Sequence, residues 1–173
     1  MGNFALLPAL INAHTHWEFS RLERPLGRAG MRFADWIGEV VAFRRKLTGD
    51  GTDLGAYSRQ ATAAGLSESA EAGVAGLGEI ATALWPAECF DSGSDIQGTV
   101  FLELLGLAPE RIESLLFAAE QHINTGKNSA FRRGLSPHAP YTVHPDLLRK
   151  VCDLSAREQV PLAMHLAESL EET

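Results

Sequence analysis

Short apolar runs alternate with longer amphipathic stretches along the chain. Leu6 to Ala13 is an apolar run, interrupted by Pro8, that ends in His14-Thr15-His16. From Phe33 to Leu47 the apolar residues Phe33, Trp36, Ile37, Val40, Val41 and Phe43 fall at mostly helical spacing, which predicts a helix. The stretch Thr48 to Asp53, with two glycines, is a break. A second helix is predicted over about Leu54 to Ala72, ending at Gly73. Val74 to Ile80 reads as a strand, although Gly76 and Gly78 weaken the pattern. Gly98 to Leu105 is a third apolar run. Pro109 opens a helix over Glu110 to Asn124, with Ile112, Leu115, Leu116, Ala119 and Ile123 on one face and Gly126 past its end. Phe131 to Ser136 is the fourth run. Pro145 opens a helix over Asp146 to Glu158, with Leu147, Leu148, Val151 and Leu154 inward. Val160 to Leu166 is the fifth run and leads into His165-Leu166-Ala167-Glu168.

Strands alternating with helices predict an α/β fold with a parallel sheet and right-handed crossovers. Periodicity alone fits an open doubly wound sheet or part of a closed barrel. The polar residues narrow the picture. His14, His16, Glu103, His138, His165 and Glu168 all fall at or just past the C-terminal ends of apolar runs. In α/β proteins that edge is where sites are built.

Composition adds exclusions. With 173 residues, 45% hydrophobic and 21% charged, the chain has the profile of one soluble globular domain. The net charge is -7 and the densest basic cluster is only Arg44-Arg45-Lys46, which argues against a nucleic-acid partner. No apolar run reaches the ~18 residues of a membrane span. Cys89 and Cys152 match no metal or redox spacing and read as free thiols of a cytoplasmic protein.

Three motifs carry candidate chemistry. In His14-Thr15-His16, residues two apart on an extended strand point to one face, so both imidazoles can reach one ion. Neutral imidazole suits zinc, iron or nickel. His165 can add a third nitrogen. Glu168 is placed to act as acid and base beside a metal-bound water, whose pKa falls to about 7; a carboxylate at a helix start is the structural alternative. In Ser136-Pro137-His138-Ala139-Pro140, the flanking prolines fix the loop and aim the ring of His138. His144 and His122 read as capping or surface residues.

Together, LLPALINAHTH, GLSPHAPYTVHPDLL and PLAMHLAE resemble the amidohydrolase superfamily, in its cytosine deaminase-like and chlorohydrolase-like branch. The resemblance runs through nearly the whole chain. It implies that His14, His16 and His165 bind one divalent metal, zinc before iron or nickel. It implies that Glu168 shuttles protons and that His138 contacts the ring under attack. The stretches NAHTHWEFSRLERPLG and FADWIGEVVAFRR resemble the aminodeoxyfutalosine deaminase group and its S-adenosylhomocysteine/methylthioadenosine deaminase neighbours. Glu18 and Glu103 match acidic positions of that group, and Trp17 is a candidate to stack on a purine face, with core packing as the alternative. The implied activity is hydrolytic deamination of a purine-like ring by metal-bound hydroxide, on a small heterocyclic substrate. Guanine or S-adenosylhomocysteine deamination, triazine-type dechlorination and a non-catalytic degenerate role are the alternatives.

The implied fold is a partial (β/α)8 TIM-like barrel. A full barrel needs ~250 residues; residues 1–173 would supply about the first five strands. The final strands, with the family's further histidine and ligand aspartate, and the accessory β-sandwich would be missing. The expectation is a truncated metal-dependent amidohydrolase barrel domain, inactive alone, that can form homo-oligomers through its open flank.

Overall fold

A computed structural model of the protein describes residues 5–83, 85–91, 95–125, 131–170 and 172. The strands are β1 (Leu10–Thr15), β2 (Val74–Ala81), β3 (Gln97–Leu104) and β4 (Phe131–Pro137). They form one parallel sheet in the order β1-β2-β3-β4. The helices are α1 (Phe33–Gly49) and α2 (Leu54–Glu71) between β1 and β2, α3 (Ile112–Asn124) between β3 and β4, and α4 (Pro145–Glu158) after β4. In the crossover from β2 to β3 the described residues include a 3-10 turn at Ala87–Asp91 and no α-helix. Gly126, expected just past α3, lies outside the described residues.

Local chemistry sets the boundaries. The Asp53 side chain accepts from the N–H of Ala56 and caps α2, and Gly73 closes that helix at φ +76°, a conformation that costs glycine little. His144 caps α4 by accepting from the N–H of Asp146, with Pro145 in the first helical position.

The fifth apolar run is not a full strand. It lies parallel beside β4 and makes one bridge, between Leu135 and Leu162. The Leu135 N–H donates to the carbonyl of Pro161, and the Ala163 N–H donates back to the carbonyl of Leu135. Proline has no N–H, so Pro161 removes one rung of the ladder.

The core lies on the helix-facing side of the sheet. Leu102, Leu104 and Leu135 pack against Ile112, Ala119 and Ile123 of α3 and Leu147, Val151 and Leu154 of α4. A second cluster joins Trp17, Leu66, Phe90 and Ile96 to Leu77, Val100 and Phe131. The opposite face mixes small and large residues. Gly78, Thr99 and Arg132 align across β2, β3 and β4, as do Ile80, Phe101 and Gly134 one step further along. Phe101 lies over Gly134, where an added Cβ would come within 2.5 Å of its ring.

His122 is a correction. Read as a capping or surface residue, it is 5% exposed, and its Nε2 donates to the carbonyl of Val100 at 3.1 Å. Its ring lies edge-on to Trp85 at 5.3 Å. The helical face it occupies turns toward the sheet, and a position late in a helix carries no sign of that.

Candidate metal centre and active site

The sheet gathers the candidate residues at one edge. Between the pairs Asn12–Leu77 and Thr15–Glu79, β1 holds one residue more than β2. Such a bulge re-aims side chains, and here it delivers His14 and His16 to the rim. His165 arrives from the end of the fifth run, where its N–H donates to the carbonyl of His138 at 2.8 Å.

The three rings meet through their Nε2 atoms. The separations are 2.9 Å for His14–His16, 3.2 Å for His16–His165 and 3.1 Å for His165–His14. Nitrogens this far apart could all hold one ion at the usual zinc–nitrogen distance of about 2.0–2.1 Å. The cluster can therefore hold a metal ion. The Nδ1 of His165 lies 3.1 Å from the carbonyl of His138. A proton there donates to that oxygen and leaves the Nε2 lone pair for a metal. Burial, followed by the neighbouring His14 and His165, pushes His16 down to about 3, and burial followed by His165 lowers His14. Both rings are thus kept neutral, the form a metal needs.

His138 stands beside this triangle, its ring 4.9 Å from that of His165. Its Nδ1 is 2.8 Å from the hydroxyl of Thr142, and its Nε2 is 3.9 Å from Glu103. Burial, then His165 and Arg44, lower it to about 4. Glu103, His138 and His165 form a second group with metal-like spacing. That group shares His165, so it extends the same site. Glu103 is buried, which raises its pKa, opposed by Arg44 at 3.6 Å.

Glu18 binds Arg44 through both carboxylate oxygens, and Arg44 thus bridges Glu18 and Glu103. These three line a 330 Å³ pocket with Tyr57 and Arg111. Arg44 stood out in the sequence only as part of a short basic cluster. Glu168 is exposed, past Ala167 at φ 56°. Its charge acts on His14 and on Tyr141. A groove of about 610 Å³, lined by Phe33, Ile37, Pro140 and Tyr141, borders the same rim.

Trp17 lies elsewhere. It is 4% exposed, stacked on Phe90 at 5.5 Å and pressed against Gly65 of α2. Its ring faces are taken up by the core, so it offers none to a ligand. Sequence reasoning missed Glu79, 4% exposed near the end of β2, whose carboxyl meets Thr15 and the Trp17 N–H. An acidic residue in an otherwise apolar strand was the available signal.

A family model described as the amidohydrolase family matches residues 5–173, and the chain belongs to that family. An aminodeoxyfutalosine deaminase from Deinococcus radiodurans is 32% identical over 169 residues, covering 94% of this chain and 37% of that protein. The structure of Helicobacter pylori aminofutalosine deaminase in complex with methylthio-coformycin is 30% identical, with a TM-score of 0.68, over 95% of this chain and 38% of that one. Atrazine chlorohydrolase from Arthrobacter aurescens TC1, complexed with zinc, superposes with a TM-score of 0.75 over 95% of this chain and 42% of that one. At 19% identity that last likeness concerns the fold alone. The chain spans about two fifths of the length of these relatives. Its open sheet corresponds to part of their TIM-like barrel.

Proposed function

We propose that this chain forms part of one barrel domain and supplies three nitrogen ligands, His14, His16 and His165, to a single zinc ion in a deaminase of purine-like heterocycles. The substrate class is the adenine ring of aminodeoxyfutalosine or a related nucleoside. The observation that carries the reading is the meeting of three Nε2 atoms within 2.9–3.2 Å. The 32% identity to a deaminase of that class supports the substrate. When bound, the ion supplies a water acidified enough to attack at neutral pH.

The chain's own residues do the rest. Glu168, exposed at the rim beside His14, carries a proton from the water to the ring and then to departing ammonia. His138, held by Thr142, presents Nε2 to the ring and orients it. Glu18 and Glu103, fixed by Arg44, provide acidic contacts deeper in the site. Among the described residues no helix is long and apolar enough to cross a membrane. The two cysteines, Cys89 and Cys152, 63 positions apart in the chain, suit a reducing cytoplasm.

Metal titration tests the reading. The 173-residue chain is expected to bind one equivalent of zinc or cobalt(II), and His165→Ala or His14→Ala to lower the affinity at least about 100-fold, as loss of one of three ligands removes several kcal/mol. Unchanged metal content in both variants overturns it. Without the remaining barrel ligands, the chain alone is expected to release no ammonia from the nucleoside.

A further inference from the structure

The main chain that carries His14 and His16 leaves regular pairing at the bulge in β1. A bulge leaves ladder groups unpaired, so another contact must fix the chain there. Glu79 makes that contact. Its Oε1 accepts from the N–H of Trp17 at 2.9 Å, and its Oε2 lies 2.6 Å from the hydroxyl of Thr15. Thr15 and Trp17 are the two neighbours of His16 in the chain. The deaminase mechanism makes no use of Glu79, although it is buried and titratable.

We propose that Glu79 is a positioning residue for the metal centre, an uncharged carboxylic acid that holds the chain on both sides of His16, through the Thr15 hydroxyl and the Trp17 N–H, and aims the first two histidines at one ion. The inference rests on the metal reading of His14, His16 and His165.

Hydrogen counting supports the uncharged form. The Thr15 hydroxyl lies 2.6 Å from Glu79 Oε2 and 3.2 Å from the carbonyl of Gly78. One hydroxyl hydrogen cannot serve both acceptors. With a proton on its carboxyl, Glu79 donates to Thr15, Thr15 donates to Gly78, and the Trp17 N–H donates to Glu79. Every group is then satisfied, as buried groups require. Burial, which pushes Glu79 up to about 8, agrees with this. Glutamine reproduces the same donor and acceptor without a charge.

Cobalt(II) binding to the 173-residue chain tests the inference, read by the visible d–d bands and by competition with a chromophoric chelator. The variants are Glu79→Gln, Glu79→Ala and Thr15→Val, with circular dichroism as the check on folding. Glu79→Gln is expected to keep the wild-type affinity and spectrum. Glu79→Ala is expected to lose about 10–100-fold in affinity, the range typical of groups that orient metal ligands, with altered bands. Thr15→Val cuts the same clamp from its other end and should do likewise; it also decides the matter if Glu79→Ala fails to fold. Wild-type affinity in Glu79→Ala or Thr15→Val, or equal losses in the Gln and Ala variants, overturns the clamp while leaving the metal reading intact. No cobalt binding by the wild type overturns both.

Discussion

His122 sits against Val100 and Trp85 with its ring out of water. Burial pushes its pKa down to about 4, aided by Arg133 and opposed by the Val100 carbonyl. In the unfolded chain it would take up a proton near 6.5. Between those values the unfolded state binds more protons, so stability falls as pH drops from about 6.5 to about 4. The contribution is on the order of 3 kcal/mol. Glu79 works in the opposite direction, since its buried carboxyl is held up to about 8. A His122→Gln variant keeps a donor for Val100 and does not titrate. Its urea-unfolding free energy should fall less than the wild type's between pH 7 and pH 4.5. Equal falls would show that His122 does not carry the effect. The same residue marks a limit of sequence reading: a buried and an exposed histidine look alike until the helix face is packed.

At the scale of elements, the decisive contact is between α2 and the turn after β1. An added Cβ at Gly65 would lie 2.3 Å from Cδ1 of Trp17 and 2.6 Å from Oγ of Ser20. Alanine improves helix propensity by up to about 1 kcal/mol, but overpacking costs about 1–3 kcal/mol. Overpacking wins because the neighbour is a buried indole stacked on Phe90. Gly65→Ala is expected to lower stability by about 1–2 kcal/mol in urea titration; a more stable variant would contradict the packing. Periodicity gave most helix bounds to within a few residues. It also gave α1 an apolar face, yet only Val40 of that helix is buried. Amphipathic spacing shows that a face is apolar and not what will cover it; in α1, Phe33 and Ile37 line the groove at the site rim. The fifth run likewise had the apolar pattern of a strand, but pairing depends on neighbours and on the donor that Pro161 lacks.

At the scale of the molecule, a parallel sheet is normally covered on both faces. Among the described residues, helices cover one face. On β1, Leu10 is 60% and Ile11 79% exposed, and Ile11 lines an open groove of about 430 Å³ with Gly76, Thr99 and Phe101. Unpaired, apolar strand edges invite association. The 173-residue chain is expected to self-associate with rising concentration in sedimentation velocity, and Ile11→Lys to raise the monomer fraction. Association unaffected by that change would place the contact elsewhere.

By itself the sequence determined the α/β alternation, the parallel order of the elements and the identity of the three histidines. Those follow from short-range periodicity and from motifs in which the chemistry sits within a few residues. Only the tertiary structure decided that Trp17 fills the core and that Glu79 and Arg44 reach the site. It also set the orientation in which the imidazoles meet. These depend on contacts between residues 26 to 151 positions apart, such as Arg44 with Glu18 and His165 with His14. Local pattern holds no record of such distances, because they are set when the sheet brings its strand ends to one edge.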